Sequence, residues 1–183
     1  LYQPYRSYVK GLSCEGMEDI TISAYGATFL VDGFMEPVSV EHCRNVTIEG
    51  LTIDHLRKPF SEGDIVRVDE STFDIRFDSQ YPVNAAIPTM RVMVADRASG
   101  RMYGGERWCG EKEWLGDNTL RCHAQPLPGM LGQRAIVPHM FHYRPAILLL
   151  EAINTQLTDV TIHSQPGMGI VGMKAENIVI RRL

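Results

Sequence analysis

The side chains able to carry chemistry in this sequence are six histidines, four cysteines and 22 carboxylates among 183 residues. His139 and His142 come nearest to a metal pair. At i and i+3 they would share a helical face, but Pro138 and Pro145 hold the segment extended, where an odd separation sends them to opposite faces. No third ligand accompanies them, so no metal site is specified. His163 follows one strand-like phrase directly, and His55 follows Asp54 at the end of another. Both could touch a ligand at a strand end, and solvated turn histidines are the plainer reading. Trp108 and Trp114 sit in a segment rich in Gly and Glu. An exposed indole stacks on the apolar face of a pyranose, whereas a buried one is ordinary core. The acidic neighbours Glu18-Asp19, Asp69-Glu70 and Glu111 with Glu113 read equally well as turns or solvated edges. Cys14, Cys43, Cys109 and Cys122 form no CxxC, and Cys14 and Cys43 read as small buried hydrophobes. A Cys109–Cys122 bridge stays open, because both lie in one Gly-rich region. GxSxG, GxxxxGK[ST] and HExxH are all missing, so the motifs alone identify no active site.

The elements that must position these residues announce themselves through a repeat. One phrase recurs four times: Glu18-Asp19-Ile20-Thr21-Ile22, Arg44-Asn45-Val46-Thr47-Ile48, Thr158-Asp159-Val160-Thr161-Ile162 and Glu176-Asn177-Ile178-Val179-Ile180. Asp or Asn supplies the turn, and the apolar residues at i and i+2 then share one strand face. Asp19 precedes Asn45 by 26 residues and Asp159 precedes Asn177 by 18, each one rung of a solenoid; Asn45 precedes Asp159 by 114. The spacing predicts two rungs, a large insertion and two more rungs. Secondary strands fit at 27–31, 38–40, 51–53, 147–150 and 169–171. The fold expected is all-β, a right-handed parallel β-helix whose stacked rungs bury an aliphatic interior. Ile20, Ile22, Val46, Ile48, Val160, Ile162, Ile178 and Ile180 should line one sheet. A β-sandwich is the competing reading, but hairpin turns are scarce in the rungs.

The domains are then 1–55 (first rungs), 56–145 (insertion) and 146–183 (second rungs). In the insertion Phe73-Asp74-Ile75-Arg76-Phe77-Asp78 alternates strictly, and Ile65-Val66-Arg67-Val68 precedes it across a short turn. Met90 to Ala95, Arg101 to Tyr103, Thr119 to Ala124 and Arg134 to His142 complete an antiparallel meander of about six strands, a small barrel or sandwich.

Composition excludes other classes. The net charge is −4 and 44% of residues are hydrophobic, which suits a globular body rather than a disordered chain. Arg57-Lys58 and Arg181-Arg182 are the only basic runs, too little for a nucleic-acid partner. The longest apolar run is Ala146 to Leu150, far from the ~20 residues of a membrane span. No charged-then-apolar leader follows Leu1. No metal and no cofactor are called for.

Three stretches resemble a known family in their order. They are Asn45-Val46-Thr47-Ile48-Glu49-Gly50-Leu51-Thr52-Ile53-Asp54, then Pro59-Phe60-Ser61-Glu62-Gly63-Asp64-Ile65-Val66 with Ser79-Gln80-Tyr81-Pro82, and Asp159 to Val171 with its Pro166-Gly167-Met168-Gly169-Ile170 run. Together they resemble glycoside hydrolase family 110, β-helical α-1,3-galactosidases with a β-barrel inserted in the solenoid. The resemblance implies metal-free inverting hydrolysis of terminal α-linked galactose by two carboxyl groups. It also implies a galactose-terminated glycan as partner and a secreted or periplasmic location. The family's catalytic carboxylates lie in rungs beyond the one matching Glu176–Leu183, so no catalytic residue is carried onto this chain. The chain reads as the front portion of a longer enzyme, inactive alone. His163, Gln165 and Met168, at the post-barrel strand end, are the substrate contacts expected. The strand ending at Leu183 has no cap, which leaves an edge open to end-to-end self-association. A non-catalytic glycan-binding or structural β-helix module of the adhesin or tailspike type is the alternative. A β-helical lyase ranks last, for want of an acidic calcium cluster.

Overall fold

The computed structural model describes residues 8–81, 83–87, 91–139, 144–165 and 167–183. Every regular element among them is a strand. In chain order these are β1 (Val9–Glu15), β2 (Glu18–Ser23), β3 (Thr28–Val31), β4 (Met35–Glu41), β5 (Arg44–Glu49) and β6 (Thr52–His55). Then come β7 (Phe60–Val68), β8 (Thr72–Phe77), β9 (Arg91–Ala95), β10 (Arg107–Trp108), β11 (Glu111–Gly116), β12 (Thr119–His123) and β13 (Arg134–Pro138). The last five are β14 (Ile147–Leu150), β15 (Ile153–Thr158), β16 (Thr161–Ile162), β17 (Ile170–Met173) and β18 (Glu176–Arg181). Two compact units result: Leu1–Arg57 with His142–Leu183, and Lys58–Phe141.

The first unit consists of three parallel sheets, ordered β1-β4-β14-β17, β2-β5-β15-β18 and β3-β6-β16. Each of the first three passes lays one strand in each sheet in turn, and β17 and β18 add to the first two. At the corner before the second sheet, Asp19, Asn45, Asn154 and Asn177 all take a left-handed backbone, with φ of 55–56°. Asn and Asp tolerate this conformation because a short polar side chain can bond locally. Here it bonds to the next pass: Asn45 Nδ2 donates to Asp19 Oδ1 at 2.8 Å, Asn154 to Asn45 at 2.9 Å and Asn177 to Asn154 at 3.0 Å. One and three residues on, the side chains turn inward. Val46, Ile48 and Leu157 are fully buried in a core shared with Val38, Val40, Ile53, Ile147 and Leu149.

The asparagine ladder corrects the repeat. Three of the four phrases stack as expected, but Asp159-Val160-Thr161-Ile162 does not join them. Its Thr161–Ile162 pairs with Thr52–Ile53, so Ile162 belongs to the β3-β6-β16 sheet and Val160 lies just before it. The residues beside Val46 and Ile48 are Thr155 and Leu157, led in by Asn154. Phrase similarity misled because two different corners accept the same residues: Gly50 and Asp159 are also left-handed.

The second unit is a single antiparallel sheet of seven strands, ordered β10-β9-β13-β7-β8-β12-β11. Strict alternation is the cause in β8, where Phe73, Ile75 and Phe77 enter the core. The order is not a simple meander: β13 returns between β9 and β7. Only an isolated bridge, Ala95 with Met102, forms where a strand at 101–103 was expected. Three elements carried no clear pattern in sequence: β1, the two-residue β10, and β11. Met90 and the stretch through His142 lie partly or wholly outside the described residues. The strands β10 and β11 stand at opposite edges of the sheet, yet only Cys109-Gly110 separates them. Flat, those edges would stand roughly 29 Å apart at ~4.8 Å per strand. Two linking residues reach about 11 Å. The sheet therefore curls into a half-barrel.

Candidate functional site

In the first unit, the strand ends of the β3-β6-β16 sheet bring together Asp54, His55 and His163. His163 extends β16, and its N–H donates to the carbonyl of Ile53 at 2.8 Å. That pairing sets His163 beside Asp54, which in turn lies beside Leu30. Neighbours across a parallel ladder on one face stand about 5 Å apart, so carboxylate and imidazole present one polar edge. Asp54 Oδ1 also accepts the N–H of His55 at 2.7 Å, while the His55 side chain is buried. Ser164, with φ of 58°, turns the chain after His163. His163 and Met168 are exposed, Met168 at 49%, and Gln165 is half-buried.

Gln165 ties this edge to a second cluster that the sequence did not announce. Its Nε2 donates to the carbonyl of Arg144 at 2.6 Å. Arg144 is buried, pairs with Oε2 of the fully buried Glu36, and lies 3.6 Å over the ring of Tyr8. Ser39 stands within reach of both Glu36 and Glu41, and its single proton goes to Glu41. Glu41 also receives Lys10. Burial raises the Glu36 carboxyl above its usual value, and Arg144 only partly draws it back. Burial works the same way on Glu41, but Lys10 and Ser39 outweigh it and its value falls. Two carboxylates on one strand are thus driven apart, the arrangement that separates an acid from a base. Both are closed off from solvent, however, so they act on the fold rather than on a substrate. No spacing rule could have found them: Glu36 and Arg144 are 108 positions apart in sequence.

The other candidates separate. In the second unit, Trp108 on the edge strand β10 is 51% exposed, whereas Trp114 packs against the core. His139 Nε2 lies 2.9 Å from the buried Ser61 Oγ; His142 falls outside the described residues. All four cysteines are buried thiols. Among the described residues, no three His, Cys, Asp or Glu gather to hold a metal ion.

The architecture is therefore an all-β protein with parallel sheets, an antiparallel half-barrel sheet and a polar strand-end edge in the parallel unit. No family model matches the chain. It is similar to α-1,3-galactosidase A of Bacteroides fragilis, 26% identical over 98% of this chain and 33% of that protein. It is also similar to α-1,3-galactosidase B of Akkermansia muciniphila, 23% identical over 88% of this chain and 22% of that protein. α-1,3-Galactosidase B of Bacteroides thetaiotaomicron is 32% identical, over 37% of this chain. The chain spans about a third, or less, of the length of these relatives.

Proposed function

We propose that this chain is a segment of a secreted or periplasmic glycoside hydrolase of the family 110 type, which releases terminal α-linked galactose with inversion. In this reading the parallel sheets are rungs of a right-handed parallel β-helix, and residues 56–145 are a β-barrel inserted between them. The observation that carries the proposal is similarity along nearly the whole chain, through both units, to proteins named α-1,3-galactosidase. The Asp54–His163 edge, with Gln165 and Met168, supplies one wall of a sugar groove. Hydroxyl groups of a hexose need fixed donors and acceptors, and a strand-end row provides them at constant spacing. The catalytic acid and base come from rungs outside this chain. Titration of the chain with α-1,3-galactobiose, followed by amide NMR, tests the groove directly. Shifts should centre on residues 54, 163 and 165, and His163→Ala with Gln165→Ala should weaken binding at least ~10-fold, about 1.4 kcal/mol. Shifts confined to the second unit, or none at millimolar sugar, would refute this assignment of the groove.

A further inference from the structure

The half-barrel has a seam, and two cysteines meet at it. The strand β10 is two residues long and pairs with β9 only through Arg107 with Val92 and Trp108 with Arg91. The chain then passes through Cys109 and Gly110 to β11, at the opposite edge of the sheet. Cys122 lies on β12, paired with Lys112 of β11 and Phe73 of β8. Both sulfurs point into the same core, with Ile75, Val94, Leu120 and Met130. The two thiols lie close enough to interact, which favours the Cys109 thiolate and disfavours that of Cys122. That short ladder, the Arg91–Glu106 ion pair and the two-residue link hold the seam at this edge.

We propose that Cys109 and Cys122 form a disulfide that closes the barrel covalently. Two thiols are oxidised and lose two electrons and two protons. A small-molecule or protein disulfide is the oxidant and is reduced to two thiols. Cys109, whose thiolate the neighbouring Cys122 favours, attacks the donor disulfide and expels its first thiolate. Cys122, once deprotonated, attacks the Cys109 sulfur of the mixed disulfide and expels the second. Access requires that β10 lift from β9 and that the Arg91–Glu106 ion pair open. The bond closes a loop of about 14 residues, short enough to restrain the unfolded chain and fix the seam. The first unit's Cys14 and Cys43 are also buried, and no such seam runs between them.

Incubation of the intact chain with oxidised glutathione, followed by non-reducing tryptic mapping, tests the assignment. The peptide Trp108–Lys112 should appear linked to Cys122–Arg134, with free thiols falling from four to two and the mass by two hydrogens. The thermal midpoint should rise by at least ~5 °C and return on reduction. Replacing Cys14 and Cys43 by Ser should leave the linked peptide intact. Cys122→Ser should abolish it, and if that variant fails to fold the wild-type map decides alone. Four free thiols after oxidation in dilute urea, where β10 opens, would overturn the proposal. So would a link between any other pair, within or between chains.

Discussion

A single guanidinium anchors the buried charge of the parallel unit. Arg144 is the ionic partner of Glu36, whose carboxylate has no exposure at all. Truncating one member of such a pair leaves the other charge stranded, at a cost of about 3–5 kcal/mol. Arg144→Ala should lose that much in urea unfolding at pH 7. The sign with pH follows from the raised Glu36 value. The fold favours the protonated form, so that contribution is fully present below the ordinary carboxylate value and is lost as pH rises through the raised one. The Arg144→Ala penalty should therefore shrink between pH 7 and pH 4, and equal penalties would show that Glu36 does not titrate in this range. Thr155 is a second informative residue. It fills the column of Val46 with no exposure, and its hydroxyl finds no partner among the described residues. An unsatisfied buried hydroxyl costs about 1–3 kcal/mol, and valine has nearly the same shape without it. Thr155→Val should raise the free energy of unfolding by about 1 kcal/mol, measured by urea titration. A loss of stability would mean that a water satisfies the hydroxyl.

The corner, more than the strand, sets the register of each pass. A strand of the form apolar–polar–apolar could slide along its neighbour by two residues without exposing its core face. The left-handed Asp or Asn at each pass forbids this, because each amide must meet the side-chain oxygen of the pass before it. Asn154 sits in the middle of that ladder, donating to Asn45 and accepting from Asn177. Asn154→Ala removes both bonds and also places a β-carbon in a left-handed backbone, worth about 1–2 kcal/mol. Asn154→Gly removes the bonds but keeps the turn relaxed. The alanine variant should therefore be less stable than the glycine variant by about 1 kcal/mol, as thermal unfolding can measure. If the two are equal, backbone strain is not what the corner resists.

At the scale of the whole molecule, inverting hydrolysis requires two carboxyl groups about 6.5–9.5 Å apart across the bond to be cut. Glu36 and Glu41, driven in opposite directions, are sealed inside, and the open edge offers Asp54 with an imidazole beside it. The chain by itself should leave p-nitrophenyl α-galactoside and α-1,3-galactobiose intact over a long incubation. Turnover abolished by Asp54→Ala would place the active site on this edge instead. The all-β class, the turn-led strands and the alternation of β8 were legible in the sequence, because each rests on neighbours within a few residues. His163 and Gln165 were reachable too, since they follow a phrase that ends in a strand. Tertiary structure alone decided the rest. It chose Asn154 over Asp159 as the residue stacked between Asn45 and Asn177, because Thr155 hides in an apolar column and two corners share one backbone conformation. It joined Glu36 to Arg144 and brought Cys109 to Cys122, because contacts between distant residues depend on how sheets stack and curl, which no local pattern encodes.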